Sequence, residues 1–235
     1  MKLSIIIPVY NEERTLKKLL DIVEKVKIED ISKEIIIIDD GSIDATKDIL
    51  EPLKDKYKII FHKKNYGKGM AIRTGIKHST GDIIVIQDAD LEYNPEDFGR
   101  MIKPIINNNA RIVYGSRFNL PFRGHLKENQ KSLFYVHLIG NTFLTMMTSI
   151  LYFNKLTDME TCYKMFRKDV LEDIKLRSRG FDFEPEFTAK VLKKGYRIIE
   201  VPVEYVSRNF EEGKKITWKD GITAVWCLLK YRIVD

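Results

Sequence analysis

The feature that most constrains this chain is an alternation. Short β-branched runs are separated by stretches whose apolar residues recur at helical spacing. Leu3 to Val9, Glu34 to Asp39, Lys58 to Phe61, Ile83 to Ile86 and Arg111 to Tyr114 read as strands. The first helical stretch carries Leu16, Leu19, Leu20, Val23 and Val26, with Asn11 placed to cap it. The second is capped by Ser42 or Asp44, runs to Leu50 and is ended by Pro52. The third is opened by Gly67-Lys68-Gly69 and sets Ala71, Ile72 and Ile76 on one face. The fourth starts at Pro95, a residue favoured in a first helical turn. Near-continuous apolar strands joined by helices predict an α/β fold, with a mostly parallel central sheet and helices on both faces.

The pattern changes after Gly115. Residues 117–131 are rich in Arg, Lys, Asn, Pro and Gly and read as a loop. Leu138 to Phe153 is strongly apolar, with Gly140, Asn141 and several Thr interleaved. A helix around Phe183 to Lys194 leads to a strand from Arg197 to Val203, and Ile216 to Ile233 closes the chain as an amphipathic helix. With no internal repeat or low-complexity linker, the two halves are expected to share one sheet.

At 235 residues the chain is long enough for a substantial core. Its 40 basic and 34 acidic residues leave a net charge of +6, which suits contact with nucleotides, phosphates or anionic lipid. Cys162 and Cys227 are far apart and lack metal-ligand spacing, so they read as reduced cytosolic thiols. The N-terminus runs straight into a strand and shows no signal-peptide pattern. No uninterrupted apolar stretch reaches the ~18–20 residues needed to span a bilayer.

Ligands of open α/β sheets sit outside the carboxyl ends of the strands. Three of these strand ends are polar. The first reads Pro8-Val9-Tyr10-Asn11-Glu12, the second Asp39-Asp40-Gly41-Ser42 and the fourth Asp88-Ala89-Asp90. Two carboxylates one residue apart repel one another, and a hard divalent cation bridging to a substrate phosphate relieves that repulsion. Tyr10 offers a π-face for a base, and Asp39 or Asp40 can accept from a base edge or a ribose. Each also has a plainer reading, as a surface aromatic or a simple turn. The amides of Gly67-Lys68-Gly69 open a helix and favour an anion, with Lys68 adding charge, although the spacing is not that of a Walker loop.

Together with Asn65-Tyr66, Gly115-Ser116-Arg117, Asp158-Met159-Glu160-Thr161-Cys162-Tyr163-Lys164-Met165-Phe166, Phe181-Asp182-Phe183-Glu184-Pro185-Glu186 and the pair Arg208 and Lys214, these residues resemble the family 2 GT-A glycosyltransferases. Within them the chain is most similar to the polyprenyl-phosphate sugar synthases of the dolichol-phosphate mannose or glucose type. The resemblance runs over nearly the whole chain. It implies a Rossmann-like GT-A fold in a single catalytic domain, residues 1–235. Residues 1–115 would take the nucleotide sugar and 116–235 the acceptor.

By that resemblance Pro8, Tyr10, Glu12, Ile38 and Asp40 hold the nucleoside of a UDP- or GDP-sugar. Asp88 and Asp90 hold Mg²⁺ or Mn²⁺ on the diphosphate, and Lys68, Ala89 and Glu92 complete the donor site. Arg117, Arg208 and Lys214 bind phosphate groups, and Asp158 is the candidate catalytic base. A plainer reading makes Asp158 a helix cap. A lipid phosphate is largely dianionic at neutral pH, so Asp158 could also position rather than deprotonate. Two departures bear on the sugar: Glu92 stands where many relatives carry Gln, and no Arg lies near His137. Both weaken GDP-mannose and leave UDP-glucose or UDP-N-acetylhexosamine open.

The expected activity is metal-dependent, inverting hexosyl transfer to polyprenyl or dolichyl phosphate at the cytosolic membrane face. Transfer to a glycan hydroxyl is the alternative. The long C-terminal membrane region of some relatives has no counterpart here, which implies a soluble or peripheral chain. Leu138 to Phe153 and the last helix, with Trp218, Trp226, Tyr231, Lys219, Lys230 and Arg232, suit either a membrane surface or a homodimer contact. A non-catalytic nucleotide- or nucleic-acid-binding module is a further class, and it predicts binding indifferent to Asp88. Nucleic acid is not expected as a partner.

Overall fold

A computed structural model describes residues 1–118, 131–207 and 218–234. Its elements are β1 (Lys2–Val9), α1 (Leu16–Lys25), β2 (Ser32–Asp39), α2 (Thr46–Leu50), β3 (Lys58–Phe61), α3 (Lys68–His78), β4 (Ile83–Ile86), α4 (Phe98–Asn107), β5 (Ile112–Ser116), α5 (Lys131–Tyr152), β6 (Lys164–Arg167), α6 (Phe183–Lys193), β7 (Ile198–Pro202) and α7 (Trp218–Ile233). The strands form one seven-stranded sheet in the order β3-β2-β1-β4-β6-β5-β7.

Alternate residues of each strand face opposite sides, and each side is covered. Leu3, Ile5, Ile7 and Val9 of β1 pack with Leu16, Leu19 and Val23 of α1 and Phe98, Met101 and Ile102 of α4. Ile6, Ile36, Ile38, Ile84 and Ile86 pack on the other face with Ala71 and Ile72 of α3, Phe183 and Phe187 of α6, and Leu228 of α7. A sheet buried on both faces explains why its strands read as apolar runs rather than alternating ones.

The pairings β1–β2, β2–β3, β1–β4 and β5–β7 are parallel. β6 is the exception, running antiparallel to both neighbours with Ile84 opposite Phe166 and Val113 opposite Met165. This strand was not expected from its sequence. It is four residues long, and its first residue, Lys164, breaks the apolar pattern although it is fully buried. Because β6 is reversed, its start lies at the same sheet edge as the ends of β1, β2, β4 and β5. Asp158 to Tyr163 therefore arrive beside Asp88 and Arg117.

Three local expectations are corrected. Asn11 does not cap α1, which starts at Leu16 after a turn on the Glu12 carbonyl. Asn11 sits in the left-handed region (φ 54°), its amide donates to Ser42 Oγ and its Oδ1 accepts from Ile43 N. It thus ties the β1 loop to the β2 loop. Asp44, not Ser42, serves the start of α2 by accepting from Thr46 N at 3.0 Å. Tyr231 is turned inward, only 5% exposed, with the Lys190 ammonium 4.2 Å from its ring centre. It cannot serve as an interfacial aromatic. Cys162 and Cys227 are free thiols.

At the opposite edge of the sheet, Glu34 ties β1, β2 and the turn before β4 together. Its carboxylate accepts from Ser4 Oγ, Thr80 N and Oγ1, and Gly81 N, and pairs with Lys2. Burial raises its pKa, but these donors outweigh burial and hold it at about 2. Such a group adds stability above its unfolded pKa of about 4.3, and that stability is lost as pH falls through 2. The carboxyl remains 17% exposed and partly screened, so Glu34→Gln is expected to cost about 2 kcal/mol at pH 7. Denaturant unfolding should show this cost shrinking by more than half at pH 3; an equal cost at both pH values would refute the assignment.

Candidate functional site

The carboxyl ends of β1, β2, β4 and β5 and the start of β6 converge on one edge. The order in which their residues are held there follows from backbone geometry. Gly41 (φ 72°) brings the β2 loop so close to the next loop that a Cβ would lie 2.4 Å from the Lys64 carbonyl carbon. Gly67 (φ 98°) does the same at the start of α3, where a Cβ would lie 2.3 Å from Arg179 O. Leu91, a non-glycine residue at φ 64°, turns the chain sharply after Asp90. Such conformations persist where surrounding contacts over-determine them.

Asp39 and Asp40 are each 2% exposed. Asp39 Oδ1 accepts from Ser42 N and Ser42 Oγ. Asp40 accepts from Tyr66 N at 3.0 Å and Gly67 N at 2.7 Å, and lies 2.7 Å from His62 Nδ1. His62 Nε2 in turn meets Thr74 Oγ1 at 3.0 Å. Asp40 thus holds the glycine-rich loop against β2. Pro8 and Ile38 are paired in register and buried, so they offer the edge backbone rather than side chains. Glu12 is also buried, with Oε2 accepting from Thr15 Oγ1 and its amide donating to Thr46. Tyr10 is half-buried at the rim.

The start of α3 differs from its expected use. Gly69 N donates to Gly180 O, and Met70 N donates to Arg179 O. These amides grip a neighbouring loop and are not open to an anion. That loop is fixed in turn by Glu186, which is fully buried, accepts from Arg177 N and Ser178 N, and pairs with Lys190. The Lys68 side chain is thereby aimed along the sheet edge. Its Nζ lies 2.8 Å from Asp88 Oδ2 and 3.1 Å from Glu184 Oε1. Burial opposes the Lys68 charge, but Asp88 and Glu184 outweigh it and keep the ammonium protonated.

Asp88, Ala89 and Asp90 follow β4, with Ala89 buried and Asp90 Oδ1 accepting from Glu92 N at 3.0 Å. Glu92 turns toward Tyr205, its Oε2 accepting from Tyr205 OH at 3.0 Å. Carboxylate oxygens are hard ligands, and Mg²⁺ is commonly held by one or two of them with substrate phosphate and water completing the shell. No cluster of three or more candidate ligands exists among the described residues. Asp88 and Asp90, one residue apart on the loop after β4, offer oxygen ligands of that kind.

On the far side of the edge lies Asp158, which is fully buried. It accepts from Arg117 Nε and Nη2, each at 2.7 Å, from Arg117 N at 3.1 Å and from Asn141 Nδ2 at 3.0 Å. Burial alone would raise its pKa, but the Arg117 guanidinium and these hydrogen bonds hold it below the usual carboxylate range. Asp158 caps no helix; its own amide and that of Thr157 donate to Glu200. The Arg117 guanidinium lies 5.1 Å from the centre of the Tyr205 ring. Glu160 and the buried Lys164 lie beside one another, near Glu184 and Asp158. Burial and the neighbouring Glu184 raise the Glu160 pKa to about 7. Burial lowers that of Lys164, whose Nζ donates to Met159 O and Thr161 O. Arg208 and Lys214 lie outside the described residues.

A family model described as glycosyl transferase family 2 matches residues 4–175, from β1 to beyond β6. The chain belongs to glycosyl transferase family 2. It is 32% identical over 219 residues to a dolichol-phosphate mannosyltransferase of Pyrococcus furiosus, a match covering 91% of this chain and 59% of that protein. It is 28% identical to a UDP-N-acetylglucosamine–dolichyl-phosphate N-acetylglucosaminyltransferase of Methanococcus voltae, covering 97% and 95% of the two chains. In structure it resembles glucosyl-3-phosphoglycerate synthase of Mycobacterium tuberculosis, solved with Mn²⁺ and UDP-glucose. There the TM-score is 0.72 at 14% identity, over all of this chain and 80% of that one. The fold of this family 2 member is GT-A.

Sequence reasoning missed Asn141, Glu200, Lys164 and the separate tasks of Glu184 and Glu186. The last two carried a signal: two carboxylates in the first turn of a helix whose residues 183–192 are all buried. Glu200 and Asn141 carried none, because each works through tertiary contacts far from it in sequence.

Proposed function

We propose that this chain transfers a hexose, with inversion, from a nucleoside-diphosphate sugar to a polyprenyl or dolichyl phosphate. The observation that carries the choice of acceptor is the saturation of Asp158 by four donors. A carboxylate so held is a poor base, and a hydroxyl acceptor needs a base. A phosphate acceptor does not, since its second pKa of about 6 leaves it dianionic at neutral pH. Asp158 then serves to hold Arg117, whose remaining N–H groups face the acceptor phosphate. The names of the Pyrococcus and Methanococcus relatives support the same acceptor class.

Residues 1–115 bind the donor. Tyr10 stacks on the base, and the backbone at Pro8 and Ile38 borders it, with Glu12 and Asp40 bracing the loops. Asp88 and Asp90 hold Mg²⁺ or Mn²⁺, which when bound offsets the charge developing on the departing diphosphate. Lys68, Ala89 and Glu92 shape the same site, and Arg208 and Lys214 supply further cations for phosphate. The acceptor oxygen forms a bond to the anomeric carbon from the face opposite the nucleoside diphosphate. The bond from that carbon to the diphosphate oxygen breaks, and its electron pair leaves with the diphosphate.

The acceptor would be drawn from a membrane surface. No described helix is long and apolar enough to cross a membrane. Yet Ile139, Phe143, Met146 and Ile150 form an exposed stripe on α5, continued by Phe153 just past its end, and Ile222, Trp226, Leu229 and Ile233 form another on α7. The two helices touch through Tyr152 OH donating to Leu228 O. Apolar stripes with Lys219, Lys230 and Arg232 nearby suit an anionic, cytosol-facing leaflet.

One observation favours transfer to a glycan hydroxyl instead, the raised Glu160 carboxyl, since a base titrating near 7 is well matched to that task. Glu160→Gln separates the two. With polyprenyl phosphate and UDP- or GDP-sugars presented in vesicles, transfer should stay within a few-fold of wild type. A loss of about 10²-fold or more on a hydroxyl acceptor, with no lipid-linked sugar formed by either protein, would favour the glycan reading. Phe143→Glu with Trp226→Glu should abolish flotation with anionic vesicles; unchanged flotation, or a dimer that these changes split, would assign the stripes to a partner subunit.

A further inference from the structure

We propose that Lys68 is a built-in counter-cation of Asp88, competing with the divalent ion for that carboxylate and passing to the diphosphate when ion and nucleotide bind together. This rests on Asp88 and Asp90 being the metal pair. The Lys68 ammonium is 2.8 Å from Asp88 Oδ2 and 3.1 Å from Glu184 Oε1, and all three side chains are at most 14% exposed. A carboxylate this far from water is costly without a counter-charge, and Lys68 provides one.

The two partners of Lys68 differ in kind. Asp88 lies on the loop with Asp90, where the diphosphate binds. Glu184 lies on α6, its Oε1 sealed from solvent 3.1 Å from Lys68 Nζ, with Glu160 and the buried Lys164 close enough to act on it as well. Glu184 therefore anchors the ammonium whether or not Asp88 does. The root of Lys68 cannot follow it, because Gly67 and Gly69 are pressed against Arg179 and Gly180 and the latter pair accepts the α3 amides. Only the flexible stem moves. Lys has three donors and no fixed fork, so it can exchange one carboxylate for phosphate oxygens while keeping the other.

Two consequences follow. An ion alone must displace an existing ion pair and leaves Lys68 with a donor unmatched. An ion with a nucleoside diphosphate replaces that partner by an equal one. Metal and nucleotide are thus coupled through Lys68, and each should tighten the other by the same factor.

The test is Lys68→Met, which keeps the stem and removes the charge. Mn²⁺ binding is measured by electron paramagnetic resonance without nucleotide, and UDP and GDP binding by calorimetry at saturating Mn²⁺. The variant should bind Mn²⁺ alone about 10-fold more tightly and nucleoside diphosphate about 10-fold more weakly, a coupling change within the usual range. Glu184→Gln provides a second, opposite handle: Lys68 then rests on Asp88 alone, and Mn²⁺ alone should bind more weakly than to wild type. A Lys68→Met protein that melts cooperatively but binds Mn²⁺ alone no more tightly than wild type overturns the proposal. Wild-type protein that binds no nucleoside diphosphate with Mn²⁺ overturns the donor-site reading and this proposal with it.

Discussion

Asp90→Asn is expected to remove metal-dependent nucleoside-diphosphate binding and to slow transfer by on the order of 10³-fold or more. The side chain keeps its shape, and its amide oxygen can still accept the Glu92 N–H that Asp90 Oδ1 accepts. The left-handed turn at Leu91 is therefore retained, and the loss is one of charge and ligand strength. A ligand that binds only the folded state raises apparent stability, by ~2.7 kcal/mol at a hundred times its dissociation constant. Wild type should show this shift with UDP or GDP in the presence of Mn²⁺, and Asp90→Asn should show none. A shift of equal size in both proteins would remove Asp90 from the site. It would also revive a binding module that relies on basic residues alone.

The second large effect concerns Asp158 and Arg117. Asp158→Asn leaves the guanidinium without its buried counter-charge and is expected to cost about 3–5 kcal/mol of stability. Arg117→Lys keeps the charge but cannot make the two parallel bonds that Nε and Nη2 make. If Asp158 acts by holding Arg117, both variants lose transfer to lipid phosphate by a similar factor. If Asp158 is a base, Arg117→Lys stays active while Asp158→Asn does not, and that pattern would sink the positioning role. The pH dependence points the same way. A carboxyl with a lowered pKa stabilises the fold above its unfolded value of about 3.9, and this is lost only as pH falls below that, through the still lower folded value. Asp158 therefore stays ionised from pH 5 to 8. An acid limb near pH ~6 in the rate profile that persists in Glu160→Gln would belong to the acceptor phosphate.

Much of the sheet could be read in the sequence because each parallel strand is buried on both faces and so is written as an uninterrupted β-branched run. Six strands lie within two residues of expectation. β6 escaped because its identity depends on neighbours: Arg167 and Lys164 look like surface residues until Ile83 and Tyr114 are placed opposite them. The site divides in the same way. Asp88 and Asp90 stood out in the sequence only beside the polar ends of the first two strands, and the fold does bring those three ends to one edge. The start of α3 was misjudged because its free amides are a local property, whereas the carbonyls of Arg179 and Gly180 that take them come from more than a hundred residues away. Asp158 was singled out by resemblance, but the four donors that surround it come from Arg117 and Asn141, and only the fold brings these together.

The reversed strand has a consequence for how such a protein can change. β6 comes from the later part of the chain, yet it lies between β4 and β5, which both come from the earlier part. The chain is interleaved, like two hands with one finger crossed. A gene cut near residue 116 would leave β4 with one bare edge and β5 with neither neighbour, and such edges invite aggregation. New specificity is therefore not open to this architecture by exchanging one half for another. It has to be written into the loops along the shared edge, one residue at a time.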